Sequence, residues 1–267
     1  MSKPHLSASG LGMLSRCGVQ FYERYIEGNK TPPSPNMATG TATHKGAEVD
    51  MTEKFTSGDL LDEAAVLAAT SDEFDRSAKD AKDNYDGFAY TDTDREKGTD
   101  KVLGEAKDKA VMLASLYHKE YAPVLEPTER IEWKWNLETE FSHNLRGVTD
   151  LETTDGAIHD LKTSGRSPAA STAATSDQLT MYAMAKEAHD GAKPTAVVLD
   201  YLVATKTPKA VRLESTRTDD QIDTLLRRFE RATAVIDAGN FMPAPEGSWY
   251  CAKNFCGYWT TCVFARR

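Results

Sequence analysis

No stretch of this 267-residue chain approaches the roughly 18 consecutive apolar residues that a membrane-spanning helix needs, so no membrane partner is expected. The opening MSKPHLSASG also lacks the apolar centre of a signal peptide, which makes the cytoplasm the expected location. Cysteine is scarce. The four residues Cys17, Cys251, Cys256 and Cys262 are expected to be thiols or metal ligands rather than disulfides in that compartment. Basic charge is short as well: the net charge is −9, which by itself argues against a nucleic-acid binder. Its distribution weakens that exclusion, because residues 48–100 hold 16 Asp/Glu against 6 Lys/Arg while the remainder is nearly balanced. A local basic groove is therefore compatible with the composition, and so is a merely solvated acidic face. What is present is a soluble globular composition, 40% apolar and 27% charged, with a mean hydropathy of −0.53. The length suits one large domain, or a domain with an insertion. No internal repeat is visible.

Periodicity and punctuation give the order of elements. GLGMLSRCGVQFYERYIEG, capped by Ser7 or Ser9, predicts one helix stopped by Gly28. TPPSPN at 31–36 breaks the chain, since its prolines cannot propagate a helix. Gly40 to about Phe55 and then 59–120 read as helices. ERIEWKWNLE at 129–138 alternates like a strand, and GVTDLETTDGAIHDLKT at 147–163 reads as a hairpin. SDQLTMYAMAKEA has a helical period behind a Ser176 cap. PTAVVLDYLVATK and AVRLEST predict two strands, and DDQIDTLLRRFERATAVIDAG predicts an amphipathic helix ended at Gly239. Helices, three strands, a helix, two strands and a helix make a mixed α/β core with a helical insertion.

The hairpin holds two carboxylates and an amine where apolar side chains would pack better. A two-residue loop at Asp155-Gly156 would put Asp150 and Asp160 on opposite faces. A three-residue loop, Thr154-Asp155-Gly156 with Gly156 left-handed, sets them across from one another with Lys162 on the same face. The three-residue turn is the expectation, because only it makes one site. Adjacent carboxylates raise each other's proton affinity unless a cation intervenes. A hard divalent ion such as Mg²⁺ resolves the conflict with one or two carboxylates, waters and substrate phosphate. The alternative is a polar sheet face carrying one Lys–Asp pair.

His44 lies one helical turn before Glu48 and could add an imidazole ligand, or serve structure alone. Cys251, Cys256 and Cys262 crowd an aromatic tail, and with Cys17 far upstream they could form one tetrahedral Zn²⁺ site or an iron–sulfur site. The alternative is four small buried hydrophobes.

Taken in order, these stretches resemble the RecB-type branch of the PD-(D/E)XK nuclease superfamily. They are most similar to its iron–sulfur members: the AddB nuclease domain, the CRISPR-associated cluster-containing exonucleases and the phage recombination exonucleases. LSASGLGMLSRCGVQFYERYI resembles the branch's opening helix, with its first cluster cysteine at Cys17. Gly40–His44 resembles its G-x₃-H, Gly147–Asp150 its G-x-x-D, and Asp160–Lys162 its D-x-K. Gln178 and Tyr182 resemble its Q-x₃-Y. The resemblance implies a restriction-endonuclease-like α/β fold, a central mixed sheet flanked by helices within a single nuclease domain, 1–267. It further implies an acidic helical insertion over 48–120 and a clasp made by residues 17 and 243–267.

On the same grounds Mg²⁺ or Mn²⁺ is expected on His44, Asp150, Asp160 and the backbone carbonyl of Leu161, with Lys162 catalytic. Gln178 and Tyr182 are expected to position DNA, and a [4Fe–4S] cluster, with Zn²⁺ as the alternative, to sit on Cys17, Cys251, Cys256 and Cys262. The spacing of the last three departs from the branch's common C-x₂-C-x₅-C, having four residues in the first gap. The implied activity is metal-dependent exonucleolytic hydrolysis of DNA, of a single-strand-preferring or recombination type. The alternatives are a non-catalytic DNA-binding or assembly module and a CRISPR spacer-processing nuclease. The expected partners are DNA and a recombination or helicase protein, for a monomer residing in the host cytoplasm if phage-encoded. Arg16, Arg24, Lys45, Arg146 and Arg166 lie near these motifs and are the expected contributors to a DNA groove.

Overall fold

In the computed structural model, which describes residues 3–265, six strands form one mixed sheet. They are β1 (His5–Leu6), β2 (Pro127–Leu137), β3 (Asn144–Thr153), β4 (Ile158–Ser164), β5 (Val197–Val203) and β6 (Lys209–Ser215). The helices are α1 (Ala8–Arg16), α2 (Gly18–Phe21), α3 (Pro35–Ser57), α4 (Glu63–Tyr85), α5 (Asp92–Lys97), α6 (Thr99–Glu120), α7 (Asp177–Asp190) and α8 (Asp219–Asp237). β4 and β5 pair in parallel, the connection running through α7, and β6 returns antiparallel to β5. Among the described residues no helix is long and apolar enough to cross a membrane.

Each face of the sheet buries its own apolar layer. On one, Leu11 of α1, Leu179 and Met181 of α7 and Phe229 of α8 cover Ile158, Val197 and Leu199. On the other, Met51 of α3 with Leu113 and Tyr117 of α6 cover Leu151, Leu161 and Leu202. Helix α4 lies outside α3 and α6. At Gly46 the helices approach so closely that a Cβ would collide with Thr70 and crowd Ala114. The helical segment after the proline break thus supplies one of the sheet's two covers.

The single helix predicted from Gly10 to Gly28 is interrupted. Cys17 takes an extended conformation (φ −157°, ψ 104°), α2 restarts after it, and a π-helical turn follows over Tyr22–Ile26. The cause is the chain's far end. The Gly18 amide, which would extend α1, donates instead to the Met242 carbonyl at 2.7 Å, and that backbone passes where a Cβ at Gly18 would stand. Cys17 Sγ then caps the new helix by accepting from the Gln20 amide at 3.4 Å.

Candidate active site

The hairpin adopts the three-residue turn. Thr153 N–H donates to Ala157 C=O at 3.0 Å, Gly156 N–H to Thr153 C=O at 2.8 Å, and Gly156 stands at φ +85°, a conformation glycine adopts without cost. The register follows: Leu151 faces His159 and Glu152 faces Ile158. Asp150 and Asp160 are the next pair, and there the ladder stops. The Leu161 amide bonds to Asp150 Oδ2 at 2.8 Å in place of a β3 carbonyl.

The reason is a fork in the sheet. β2 pairs along nearly the whole of one edge of β3. The other edge is shared, with β4 at Leu151–Glu152 and the short β1 at Asn144–Leu145. Between them, 146–150 have no strand alongside on that edge, and the carboxylates occupy the gap. A residue's N–H and C=O face the same edge of its strand. The Ile158 amide bonds toward β5, so Leu161, three residues on, turns both groups toward the fork.

Asp160 is fully buried. Its Oδ1 accepts from Tyr182 Oη at 3.1 Å, Tyr182 Oη accepts from Gln178 Nε2 at 2.6 Å, and Gln178 Oε1 accepts from Lys162 Nζ at 3.0 Å. Lys162 Nζ closes this ring 2.6 Å from Asp160 Oδ2, as an ionic contact without well-directed hydrogen-bond geometry. That buried oxygen is thus left with no proper donor. Burial alone would push the Lys162 ammonium down, but Asp160 and Asp150 reverse the sign and hold it above its ordinary value, protonated.

Opposite Asp160, His44 Nδ1 of α3 lies 3.4 Å from Asp150 Oδ2. Glu132, which sequence reasoning missed, joins them. His44, Glu132 and Asp150 offer ligand atoms that all lie within 4.8 Å of one another, the one such set of three among the described residues. Glu132 sits across from Asp150 in the β2–β3 register and has φ +51°, a left-handed backbone costing roughly 1–2 kcal/mol for a side-chain-bearing residue. The left-handed residue breaks the two-residue alternation: Ile131 packs with the α3–α6 layer, whereas Trp133 and Trp135 pack with the α1–α7–α8 layer. β3 changes faces at the same level, with Thr149 bonded to Trp135 and Leu151 in the opposite layer. Burial raises the Asp150 carboxyl to about 6, with Asp160 adding and His44 opposing. Burial, then Asp150 and Glu48, raise Glu132 to about 7. Two half-buried acids pushed toward neutrality beside an imidazole fit a divalent ion, while Asp160, whose buried Oδ2 has no proper donor, lies outside that set of three.

The glycines of the two motifs have steric reasons. A Cβ on Gly147 would collide with the Trp135 indole, which lies across β3 and meets Tyr182 edge-on at 6.1 Å. Gly40 brings α3 against Thr163 at the end of β4, which sets His44 over the fork. The family model of the PD-(D/E)XK nuclease superfamily matches residues 5–263. The chain belongs to this superfamily. Its structure is similar to that of a protein from Eubacterium rectale named "Putative exonuclease", at 15% identity and a TM-score of 0.54 over 92% of this chain and 86% of that one. A second solved structure, SSO0001, is more distant, at 12% identity and a TM-score of 0.37 over 90% of this chain and 89% of the other. No curated protein matches. The mixed sheet between helical layers is the superfamily's restriction-endonuclease-like α/β fold, and PD-(D/E)XK nucleases use divalent metals.

Around this candidate site the structure places the other expected residues differently. Gln178 and Tyr182 line a cleft of about 470 Å³ with Ser7, Ser9 and Arg146, and they also bond Lys162 and Asp160 directly. Lys45 pairs with Glu48, Arg24 turns to Tyr258, and Arg166 lies on the exposed loop after β4. His159 faces the side of the sheet opposite Asp160 and bonds Asp200 at 2.7 Å, and both line a small cavity with His44, Glu132 and Asp150.

The tail returns to the first helices. Tyr258 Oη donates to the Asn29 carbonyl at 2.6 Å, and Phe241 packs against Phe21 and Tyr22. Burial raises the Cys256 thiol, and Cys17, Cys251 and Cys262 each add to the rise, so all three lie near it.

Proposed function

We propose that this nuclease is a metal-dependent DNA exonuclease with a cluster-bearing clasp. The observation that carries the reading is the convergence of Asp150, Asp160 and Lys162 on an unpaired gap in the sheet, with His44 and Glu132 facing them. Asp150, Asp160, His44, Glu132 and the Leu161 carbonyl would hold a divalent cation, which supplies charge neutralisation and polarisation of the scissile phosphate. The Lys162 ammonium, fixed between Asp160 and Gln178, donates toward the fork, where it orients an attacking water and faces the charge growing on phosphorus. Tyr182 and Gln178 are positioning residues: their hydrogen bonds hold Asp160 and Lys162 in register with one another. The name of the Eubacterium rectale neighbour and the resemblance to RecB-type enzymes support an exonuclease. With Mg²⁺ or Mn²⁺, end-labelled linear DNA is expected to be degraded from its termini while closed circles survive. Cleavage of circles would move the reading to an endonuclease. Tight DNA binding without turnover in either metal would favour the non-catalytic module.

For the clasp we infer a [4Fe–4S] cluster rather than zinc. Tetrahedral zinc with Zn–S near 2.3 Å needs thiolates about 3.8 Å apart. No three of these thiols fall within 4.8 Å of one another, although Cys17, Cys251 and Cys262 all act on Cys256. A cluster gives each cysteine its own iron and spreads the thiolates farther. Anaerobically purified protein is expected to be brown and iron-loaded. Cys256→Ser should lose that absorbance and melt at a lower temperature, because metal binding counts as folding energy. Folded, colourless protein carrying stoichiometric zinc would reject the cluster.

A further inference from the structure

The motif LLRRFERA in α8 takes no part in the site described above. It places Thr224, Arg227 or Arg228, Arg231 and Val235 along one helical stripe. That stripe forms one wall of a groove of about 1080 Å³ whose other wall is α1, with Leu11, Leu14 and Arg16. Arg16, Arg227 and Arg231 are exposed and have no acidic partner within ion-pair distance among the described residues, in a chain of net charge −9. Apolar Leu14, Val235 and Met242 lie between them, Met242 being 77% exposed, and the acids Asp220 and Glu230 also line the groove without pairing with these three arginines. The groove adjoins the cleft beside the fork. Arg228 pairs with Asp177 at 2.6 Å, and Asp177 lines the same cleft as Gln178 and Tyr182. Ser7 and Ser9 at the start of α1 also line that cleft, and α1 carries its wall onward for nine residues, about 14 Å, to Arg16.

We propose that this α1–α8 groove carries the substrate as an unpaired DNA strand running from the carboxylates toward the cysteine clasp. Its phosphates are met by Arg16, Arg227 and Arg231, and its bases by the apolar residues between them. The chemistry favours a single strand over a duplex. A duplex keeps its bases stacked inside and offers phosphates outward, whereas this groove presents cations and apolar surface side by side. The inference rests on the nuclease reading for the identity of the strand, and its test is separable from that reading.

The test uses Asp160→Asn protein, with wild type in EDTA as a second background, so that DNA is bound and not consumed. Fluorescence anisotropy with a short labelled single strand and with a duplex of equal length is followed across salt concentrations. Arg227→Ala combined with Arg231→Ala is expected to weaken single-strand binding at least about tenfold. The salt slope should fall by about 1.4, since each lost phosphate contact removes about 0.7. The duplex should lose clearly less, and Arg227→Lys with Arg231→Lys should restore most of the affinity by restoring the charge. Unchanged affinity and slope in a folded double variant overturn the proposal and leave the groove to a protein partner. An equal loss on the duplex overturns the single-strand assignment. Wild-type DNA digestion is scored independently. No digestion together with weakened strand binding defeats the nuclease reading alone, and digestion together with unaltered binding defeats the groove alone.

Discussion

Asp160→Asn is expected to lower metal-dependent cleavage by at least about a thousandfold, a loss of roughly 4 kcal/mol of transition-state stabilisation. Asp160 contributes in two ways. It is the fully buried carboxylate of the fork, and it holds Lys162 Nζ at 2.6 Å. An amide of the same shape still accepts from Tyr182 through its oxygen, so the fold should survive. It loses the charge that balances Lys162 and a cation, and its NH₂ either confronts the ammonium or turns and gives up the Tyr182 bond. Single-turnover digestion of end-labelled DNA measures the effect, with circular dichroism and iron content confirming an intact protein. Activity within about tenfold of wild type, in a preparation free of contaminating nuclease, would falsify the assignment of Asp160.

The second large effect links stability, pH and metal. In metal-free protein Asp150 is raised from 3.8 to about 6 and Glu132 from 4.5 to about 7. The folded state therefore binds more protons than the unfolded state between about pH 4 and 7. Stability from these groups is highest below their unfolded values and is lost as pH rises through the folded ones. For Asp150 alone the loss is about 3 kcal/mol, at 1.36 kcal/mol per pKa unit. At about 2–4 °C per kcal/mol, this lowers the metal-free melting temperature by about 6–12 °C. Mn²⁺ should reverse the loss at pH 8, where it replaces the protons, and should do little near pH 5, where the carboxylates are already neutral. Thermal melts with EDTA or Mn²⁺ at the two pH values test this, with Glu132→Gln as the control expected to flatten the pH dependence. A Mn²⁺ shift of equal size at both pH values would count against these two acids as its ligands.

Legibility in the sequence followed the range of the interactions. The hairpin register could be read because one local choice, a left-handed Gly156, sets every pairing above it. Helix α7 could be read because Ser176 caps it within its own first turn, and α8 because its amphipathic period is local. Glu132 could not. Its place in the site depends on pairing with β3 and on a left-handed backbone that breaks the alternation used to assign faces. Its one local signal was a carboxylate in a strand otherwise flanked by tryptophans. The break at Cys17 was hidden for the same reason, since the group responsible, the Met242 carbonyl, lies more than 200 residues away. Gln178 and Tyr182 were legible as a helical pair, but their closure of a ring through Lys162 and Asp160 depends on how α7 docks on β4.

Behind the fork, Asp200 is clamped by His159 at 2.7 Å and by Arg212 at 2.6 Å, one strand over from Asp160 and in register with Leu161. A mutational survey ranking positions by lost turnover is expected to score Asp200 beside the proposed reacting groups, because it holds the strand next to Leu161. Its removal would leave the buried His159 imidazole and the part-exposed Arg212 guanidinium without their partner and loosen the scaffold beside Leu161. Melting curves would separate that scaffold effect from the loss of a proposed ligand.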